Sequence, residues 1–395
     1  MTRRVLAKAL FAAQIGPPPG CKGSDIGTLC EAIRLDANAP DFRDSFLQPR
    51  FRKLPEWQKQ MQWLVREVLG EPPLEVAPDA KVLERRDRGD HFEELLSFHT
   101  TAQLRVPAYL LVPKNAKLPA PAVVALHDHG GYYLWGKEKL LDLPQEHPNL
   151  TAFRQNSYDG KAIARELCRR GYVVISIDAF FWGDRRMQLD ADAPELKNRE
   201  RSLSDRAIQD YNRRSSENED VVARSYQTAG RSWALRMLWD DRRTIDYLVT
   251  RPEVDARRIG AVGHSVGGYR SFSLAALDSR IKAAVNANWI ASLPYQIPKN
   301  VRWSVGDSFF LGGLYRRMDL PDQAALVAPR ALMTISGDQD RLFEQTGIRA
   351  AHEKIGAIYR KAGVEKKQLC RIYATPHRFS AGMQEDAWAF FAREL

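Results

Sequence analysis

The chain of 395 residues is 44% hydrophobic and 27% charged, which is the composition of a globular protein and excludes a fibrous or a disordered chain. Its 59 basic and 49 acidic residues give a formal net charge of +10, yet the most charged region, residues 184–224, holds nine basic and ten acidic residues. Because the basic excess forms no tract and no apolar stretch reaches about 18 to 20 residues, we expect neither nucleic-acid binding nor a membrane span.

The N-terminus and the cysteines leave the cellular location open. Thr2–Leu6 resembles a twin-arginine export signal, but the apolar stretch that follows is short and interrupted by Lys8. An ordinary N-terminal helix and a cytoplasmic location are therefore the first hypothesis, with export as the alternative. Cys21 and Cys30 would pair locally in an exported protein, whereas four scattered cysteines without a CxxC pair predict neither a disulfide scaffold nor a zinc site.

Residues 1–85 predict a helical N-terminal extension without strands. Their clearest helix is Pro55–Leu69, which begins with a proline suited to a first helical position and repeats apolar residues at helical spacing. Nothing in this segment suggests chemistry.

Residues 86–395 predict one α/β catalytic domain. Phe92–Phe98 and Leu104–Val112 are expected to form an antiparallel pair, and Pro107 suggests an edge position for the second. Short apolar runs typical of buried parallel strands then alternate with helical stretches, which predicts a mostly parallel central sheet covered by helices on both faces. The runs are Ala122–Leu126, Tyr172–Ile177, Arg258–Val262, Ile281–Val285, Ala331–Ile335 and Leu369–Tyr373.

Two long polar insertions, residues 134–157 and 184–228, interrupt this alternation. Both follow strands at the edge where α/β sheets bind ligands. They are either solvated surface excursions or a cap over the site.

The segment Gly263–Gly268 predicts a nucleophile. It has the form Gly-x-Ser-x-Gly between an apolar strand and a helix, which is the setting of a nucleophile elbow. Ser265 at the turn needs strained backbone geometry, and the flanking glycines remove Cβ clashes that would prevent it. The N–H of Val266, at the start of the helix, is then expected to stabilise an oxyanion.

A serine nucleophile needs an imidazole base and a carboxylate to orient it. The expected acid follows the strand Ala331–Ile335, where Asp340 is preferred because it lies beyond the strand end, and Asp338 is the alternative. The expected base is His377, on the loop after the last strand.

The loop after Ala122–Leu126 carries the second expected oxyanion donor. It begins His127-Asp128-His129 and continues with two glycines, so the donor is the N–H of His129 or, as the close alternative, that of Gly130. The two histidines would also suit zinc, but no further ligands follow, and no metal is predicted.

These motifs resemble the α/β-hydrolase superfamily, in particular its dienelactone hydrolase and acetyl xylan esterase-like branch. The residues that carry the resemblance are Val106–Pro113, Leu126–Gly131, Gly263–Gly268, Ala328–Ala331, Gly337–Asp340 and Pro376-His377. The resemblance implies a carboxylic-ester hydrolase that forms a covalent acyl-enzyme and needs no cofactor. Dienelactone hydrolases proper use a cysteine nucleophile, so Ser265 shifts the expectation toward acyl esters.

The sequence thus predicts a serine esterase for small acyl esters, with esterified carbohydrates among the candidates. Tyr132, Trp182 and Trp289 are candidates for stacking on substrate, although packing is the more common role of such aromatics. The alternatives are a serine peptidase of the prolyl-oligopeptidase type, whose β-propeller does not fit into 85 residues without strands, and a non-catalytic binding protein. A small-molecule ester is the expected partner; the oligomeric state is not specified by the sequence.

Overall fold

The computed structural model describes residues 20–37, 42–309 and 311–395, so the export-signal hypothesis for Thr2–Leu6 lies outside the described residues. Within these ranges no helix combines the length and the apolar character that crossing a membrane requires.

The described residues form one nine-stranded sheet. Its strands in chain order are β1 (Lys81–Asp87), β2 (His91–His99), β3 (Arg105–Pro113), β4 (Ala120–Leu126), β5 (Val173–Ile177), β6 (Val254–His264), β7 (Ile281–Ala287), β8 (Ala331–Gly337) and β9 (Gln368–Tyr373). The spatial order is β1-β2-β3-β5-β4-β6-β7-β8-β9. The pairs from β1 to β5 are antiparallel and those from β5 to β9 are parallel, which confirms the mostly parallel sheet.

The helices connect these strands and flank the sheet. In chain order they are α1 (Leu29–Ala37), α2 (Leu54–Leu69), α3 (Pro148–Tyr158), α4 (Ile163–Arg169), α5 (Pro194–Asn198), α6 (Asp205–Glu217), α7 (Glu219–Thr228), α8 (Trp233–Leu248), α9 (Val266–Leu277), α10 (Leu293–Gln296), α11 (Val301–Ser304), α12 (Ala324–Val327), α13 (Gln345–Lys361) and α14 (Ala381–Glu394). Helices α5, α6 and α7 belong to the second insertion.

The sheet separates two hydrophobic cores because successive strand residues point to opposite faces. In β4, Val124 and Leu126 enter one core, while Val123 and Ala125 enter the other. Every residue of β5 is buried, as expected of a strand covered on both faces. This double burial explains why the inner strands were predictable as continuous apolar runs.

Two predictions about the start of the sheet are wrong. Residues before 86 are expected to hold no strand, but β1 begins at Lys81. Its apolar residues Val82 and Leu83 are exposed at the sheet edge, so the strand lacks the buried apolar run from which a strand is predicted. Pro107 was expected to mark an edge, but β3 pairs with both β2 and β5. The β5 pairing begins only at Ala108, so the missing N–H of Pro107 falls beyond that ladder.

The N-terminal segment packs on the main body. Trp57 and Met61 of α2 are buried, and Gln58 donates hydrogen bonds to the carbonyls of Ala325 and Ala328, at 2.8 and 2.6 Å. Cys21 and Cys30 form a disulfide, with Cα atoms 5.6 Å apart.

Candidate active site

Ser265 lies in a sharp turn between β6 and α9. Its backbone has φ 55° and ψ −125°, a conformation that is costly for a residue with a side chain. The glycines make the turn possible: a Cβ on Gly263 would lie 2.2 Å from the Gly267 carbonyl carbon, and one on Gly267 would lie 2.0 Å from the Leu126 carbonyl oxygen. The sequence folds into an elbow here because only glycine lets these backbones approach so closely.

His377 and Asp340 meet at the ends of β9 and β8. The Nδ1–H of His377 donates to Asp340 Oδ2 at 2.6 Å, and the second carboxylate oxygen accepts the Leu342 N–H at 2.9 Å. The Asp340 side chain is buried, and that of His377 is partly exposed. Asp338, the alternative acid, is exposed. The two loops adjoin because the space for a Cβ on Gly337 is filled by the Thr375 carbonyl oxygen, at 2.2 Å.

His264 connects this pair to the elbow. Its ring centroid lies 4.8 Å from that of His377, which brings the base beside the residue that precedes Ser265. Burial, with the neighbouring His377, holds the pKa of His264 well below its usual range, so its ring is neutral. A neutral ring at this position packs against the base without repelling its protonated form.

The loop after β4 contacts the elbow directly, since Leu126 pairs with Gly263 across the parallel strands. Gly130 has a left-handed backbone conformation, with φ +60°, and a Cβ there would lie 2.6 Å from the Phe153 ring. Within the described chain, the N–H groups of His129, Gly130 and Val266 have no hydrogen-bond acceptor. Free N–H groups on either side of the elbow are what an oxyanion hole requires.

Both histidines of this loop use their ring nitrogens within the protein. Nε2 of His127 accepts the Ala179 N–H at 3.0 Å, so its Nδ1–H donates to the Asp128 carbonyl at 2.8 Å. Nδ1 of His129 accepts the Gly131 N–H at 2.9 Å, so its Nε2–H donates to Glu219, at 2.8 Å. The two rings therefore have separate structural partners and do not converge as ligands.

The second insertion reaches the loop through Glu219, the first residue of α7. A second contact follows from α6, where the Asn212 side chain accepts the Tyr133 N–H at 2.9 Å. Residues 184–228 therefore contact the loop beside the elbow at two points.

Buried charges tie the two insertions together. The ammonium of Lys137, fully buried, lies 2.7 Å from Asp178, 2.6 Å from Asp184 and 3.0 Å from Glu138. Arg199 of the second insertion contacts Glu138 and Asp184 as well. The three carboxylates lie close enough together to suit a cation, and the lysine ammonium supplies that charge.

The aromatic residues proposed for stacking on substrate are packed within the protein. Trp182 is fully buried beside His129 and Tyr133, at centroid distances of 5.1 and 5.3 Å. Trp289 is buried against Tyr269, and the half-buried Tyr132 stacks on Trp135. The structure thus gives Trp182 and Trp289 a packing role, because covered ring faces offer nothing for a sugar to stack on.

Sequence reasoning missed Glu219 and Lys139. Lys139 is fully buried in the 3₁₀ turn Lys137–Leu140, where its ammonium donates to the carbonyls of Asp128 and His129. The sequence offered one signal, since Lys139 directly precedes the apolar pair Leu140-Leu141. A lysine in such a setting needs a buried partner, but that partner is not visible in the sequence.

The nine-stranded sheet, the elbow after β6 and the hydrogen-bonded Asp340 and His377 after β8 and β9 are those of an α/β-hydrolase, which confirms the predicted fold and superfamily. The model of the abhydrolase family matches residues 28–390, and the chain belongs to that family. It is an enzyme of the hydrolase class.

Individual relatives agree with this assignment. The chain is 25% identical over 346 residues to "Putative hydrolase YtaP" of Bacillus subtilis (strain 168), covering 86% of this chain and 99% of that protein. Its fold is similar to a "putative acetyl xylan esterase" of Bacteroides fragilis NCTC 9343, with a TM-score of 0.65, 18% identity and coverage of 89% and 82% of the two chains. It is also similar to a CE15 glucuronoyl esterase of Teredinibacter turnerae T7901, with a TM-score of 0.59, 16% identity and coverage of 100% and 99%.

Proposed function

We propose that this protein is a serine esterase in which Ser265 is the nucleophile, His377 the general base and Asp340 the acid that orients it. The observation that carries the proposal is the 2.6 Å hydrogen bond between His377 and Asp340, beside a serine held in elbow geometry. A neutral imidazole with Nδ1–H bound to a carboxylate presents its free Nε2 as a base. This is the state in which a serine hydroxyl can be deprotonated during attack.

In the proposed reaction Ser265 Oγ attacks the ester carbonyl carbon while His377 Nε2 takes its proton. The carbonyl oxygen becomes an oxyanion, which binds the N–H of Val266 and that of His129 or Gly130. His377 returns the proton to the leaving alcohol, and the acyl group stays on Ser265. Water, deprotonated by His377, then attacks the acyl-enzyme and releases the acid, so that one ester and one water yield one alcohol and one carboxylic acid.

The proposed substrates are neutral acyl esters, with acetylated or otherwise esterified carbohydrates first among them. The neighbours in fold are named for the acetyl xylan and glucuronoyl esters they act on, which supports sugar esters as the first class to test. The second insertion contributes Glu219 beside the loop, and burial together with Glu219 raises the pKa of Asp307. These two neighbouring carboxylates, one of which binds His129, disfavour a substrate that carries its own negative charge.

The experiment is hydrolysis of p-nitrophenyl acetate by the protein and by Ser265→Ala, with labelling by a fluorophosphonate. We expect the variant to keep its circular dichroism and melting temperature, to lose about 10⁴-fold or more in kcat, and to stay unlabelled. An unlabelled wild-type protein would instead support the non-catalytic alternative. A labelled protein that cleaves peptides and no esters would support the peptidase alternative.

The location is a separate proposal. The cytoplasmic hypothesis stands with export as its alternative, and the Cys21–Cys30 disulfide favours export, because cytosolic thiols are kept reduced. Thiol titration of the protein isolated from its native cells tests this: two reactive thiols in place of four indicate an oxidising compartment.

A further inference from the structure

Lys139 has an unusual environment for a buried ammonium. Its Nζ donates to the carbonyl oxygens of Asp128 and His129, both at 2.9 Å, and lies 5.1 Å from the centroid of the Phe153 ring. In the described part of the chain Lys139 forms no ion pair. Lys137, two residues earlier and equally buried, is surrounded by three carboxylates instead. Burial disfavours the charged form of this ammonium, while the negative charges of Asp128, Asp178 and Glu138 favour it without contacting it.

The two carbonyls that Lys139 holds belong to particular peptide units. The unit with the Asp128 carbonyl also carries the His129 N–H, and the unit with the His129 carbonyl carries the Gly130 N–H. Both units are trans, so each N–H points away from its own carbonyl. The ammonium therefore holds the two candidate oxyanion donors on the side opposite to itself.

We propose that Lys139 is the positioning residue of the oxyanion hole, which its ammonium builds by fixing two peptide planes and polarising their N–H groups. This inference rests on the proposed esterase function. A positive charge at the carbonyl end of a peptide dipole makes the N–H end a stronger donor, and the effect is large in a site that excludes water. A developing oxyanion that accepts these N–H groups is thus stabilised further by the charge of Lys139.

The surroundings of Lys139 keep it in place. The Phe153 ring beside the ammonium also occupies the space next to Gly130, where a Cβ would lie 2.6 Å from it. Lys139, Phe153 and the left-handed Gly130 thus form one packed unit. The N–H groups of His129 and Gly130 cannot turn toward Lys139 unless its two hydrogen bonds to the carbonyls of Asp128 and His129 break.

The test uses three substitutions of Lys139 in the full chain. Lys139→Met removes donors and charge, Lys139→Gln keeps donors without charge, and Lys139→Arg keeps both. We expect K139M to lower kcat for p-nitrophenyl acetate by about 10- to 100-fold with little change in KM, K139Q to lose less, and K139R to retain most activity. The rate of phosphonylation of Ser265 is expected to fall by the same factor, because the phosphoryl oxygen occupies the same hole.

A pH profile gives a readout that a purely structural lysine would not move. Burial, with the charge of Arg270, lowers the pKa of Lys139 to about 8, while nearby carboxylates oppose this shift. We expect kcat of the wild type to fall as the pH rises through about 8 and the ammonium loses its proton, and K139M to lack this alkaline limb. The charged and titratable groups facing Lys139 are Asp128, Asp178, Glu138, Arg270, His127 and His264.

The outcomes separate the two proposals. If Ser265→Ala is inactive but K139M keeps kcat within threefold (about 0.65 kcal/mol) of the wild type, the role of Lys139 is overturned and the esterase stands. If wild-type Ser265 is neither labelled nor active, the proposed function itself fails. Should K139M not fold, K139Q and the wild-type alkaline limb decide: full activity of K139Q together with a flat profile above pH 8 overturns the inference.

Discussion

Different forces hold the edge of the sheet, which carries Ser265, Asp340 and His377, and the two insertions, residues 134–157 and 184–228. At the edge, backbone meets backbone: glycines at 263, 267 and 337 leave no room for a Cβ, and neighbouring strands fix each loop. In the insertions, buried ions join distant segments, as Lys137 does with Asp184. Short-range sterics thus fix the backbone around Ser265, whereas long-range charge pairing holds the insertions together.

This contrast predicts that the edge tolerates few changes in chemistry and that single residues decide activity there. Asp340→Asn keeps the shape of the side chain, but its amide group favours the tautomer of His377 whose Nε2 carries the proton and cannot act as a base. We therefore expect kcat to fall about 10³- to 10⁴-fold. Asp338→Asn is the matched control, since the Asp338 side chain is exposed and only its N–H is used, in a bond to Tyr373. Steady-state hydrolysis of p-nitrophenyl acetate compares the two. An inactive D338N beside an active D340N would transfer the acid role to Asp338.

Substitutions of the buried ions in the insertions are expected to change the free energy of unfolding, whereas substitutions at the edge change kcat. Lys137→Met removes the ammonium beside Asp178, while Arg199 still contacts Glu138 and Asp184. Leaving the buried Asp178 carboxylate unpaired costs about 3–5 kcal/mol in the free energy of unfolding. Burial already raises the pKa of Asp178, so its carboxyl is the first expected to take up a proton in the variant. Urea denaturation measures the loss.

The control for this prediction is the double variant Lys137→Met, Asp178→Asn, which also removes the carboxylate left unpaired. We expect it to recover part of the lost stability, giving a coupling free energy of about 1–3 kcal/mol between the two sites. If the losses in the free energy of unfolding are additive, the ammonium and the carboxylate do not stabilise each other. Ion pairs would then not be what holds the insertions together.

The sequence could predict the edge because its signals are adjacent residues. A buried apolar strand followed by Gly-His-Ser-Val-Gly-Gly specifies the elbow within a few positions, and the fold and superfamily that follow from it are confirmed. The strand β1 escaped prediction because its side chains are exposed on both faces, which removes the hydrophobic alternation. A strand can be predicted from its hydrophobic pattern only where some of its side chains are buried.

The buried ion pairs of the insertions could not be predicted for a different reason. Glu219 binds a histidine 90 positions earlier, and Lys137 binds an aspartate 41 positions later. In a sequence each of these charges is indistinguishable from one on a solvated surface, because the partner that permits its burial comes from another loop. Pairing across such separations is a property of the assembled fold.

The smallest expected effect concerns the hydrogen bond from His129 to Glu219, which joins the oxyanion loop predicted after β4 to the second insertion. Glu219→Ala leaves the His129 Nε2–H without its acceptor, and since the loop is also held by other bonds, we expect kcat to fall only about 3- to 10-fold. Glu217→Ala is the matched control, because that carboxylate is exposed and lies 3.9 Å from Arg213 on the same helix. Hydrolysis of p-nitrophenyl acetate by both variants, with urea denaturation alongside, separates a local from a global effect. Equal kcat values of E219A and E217A would mean that the second insertion does not position the oxyanion loop. A lower kcat of E219A without a loss of stability would mean that the insertion acts on this loop through the one contact.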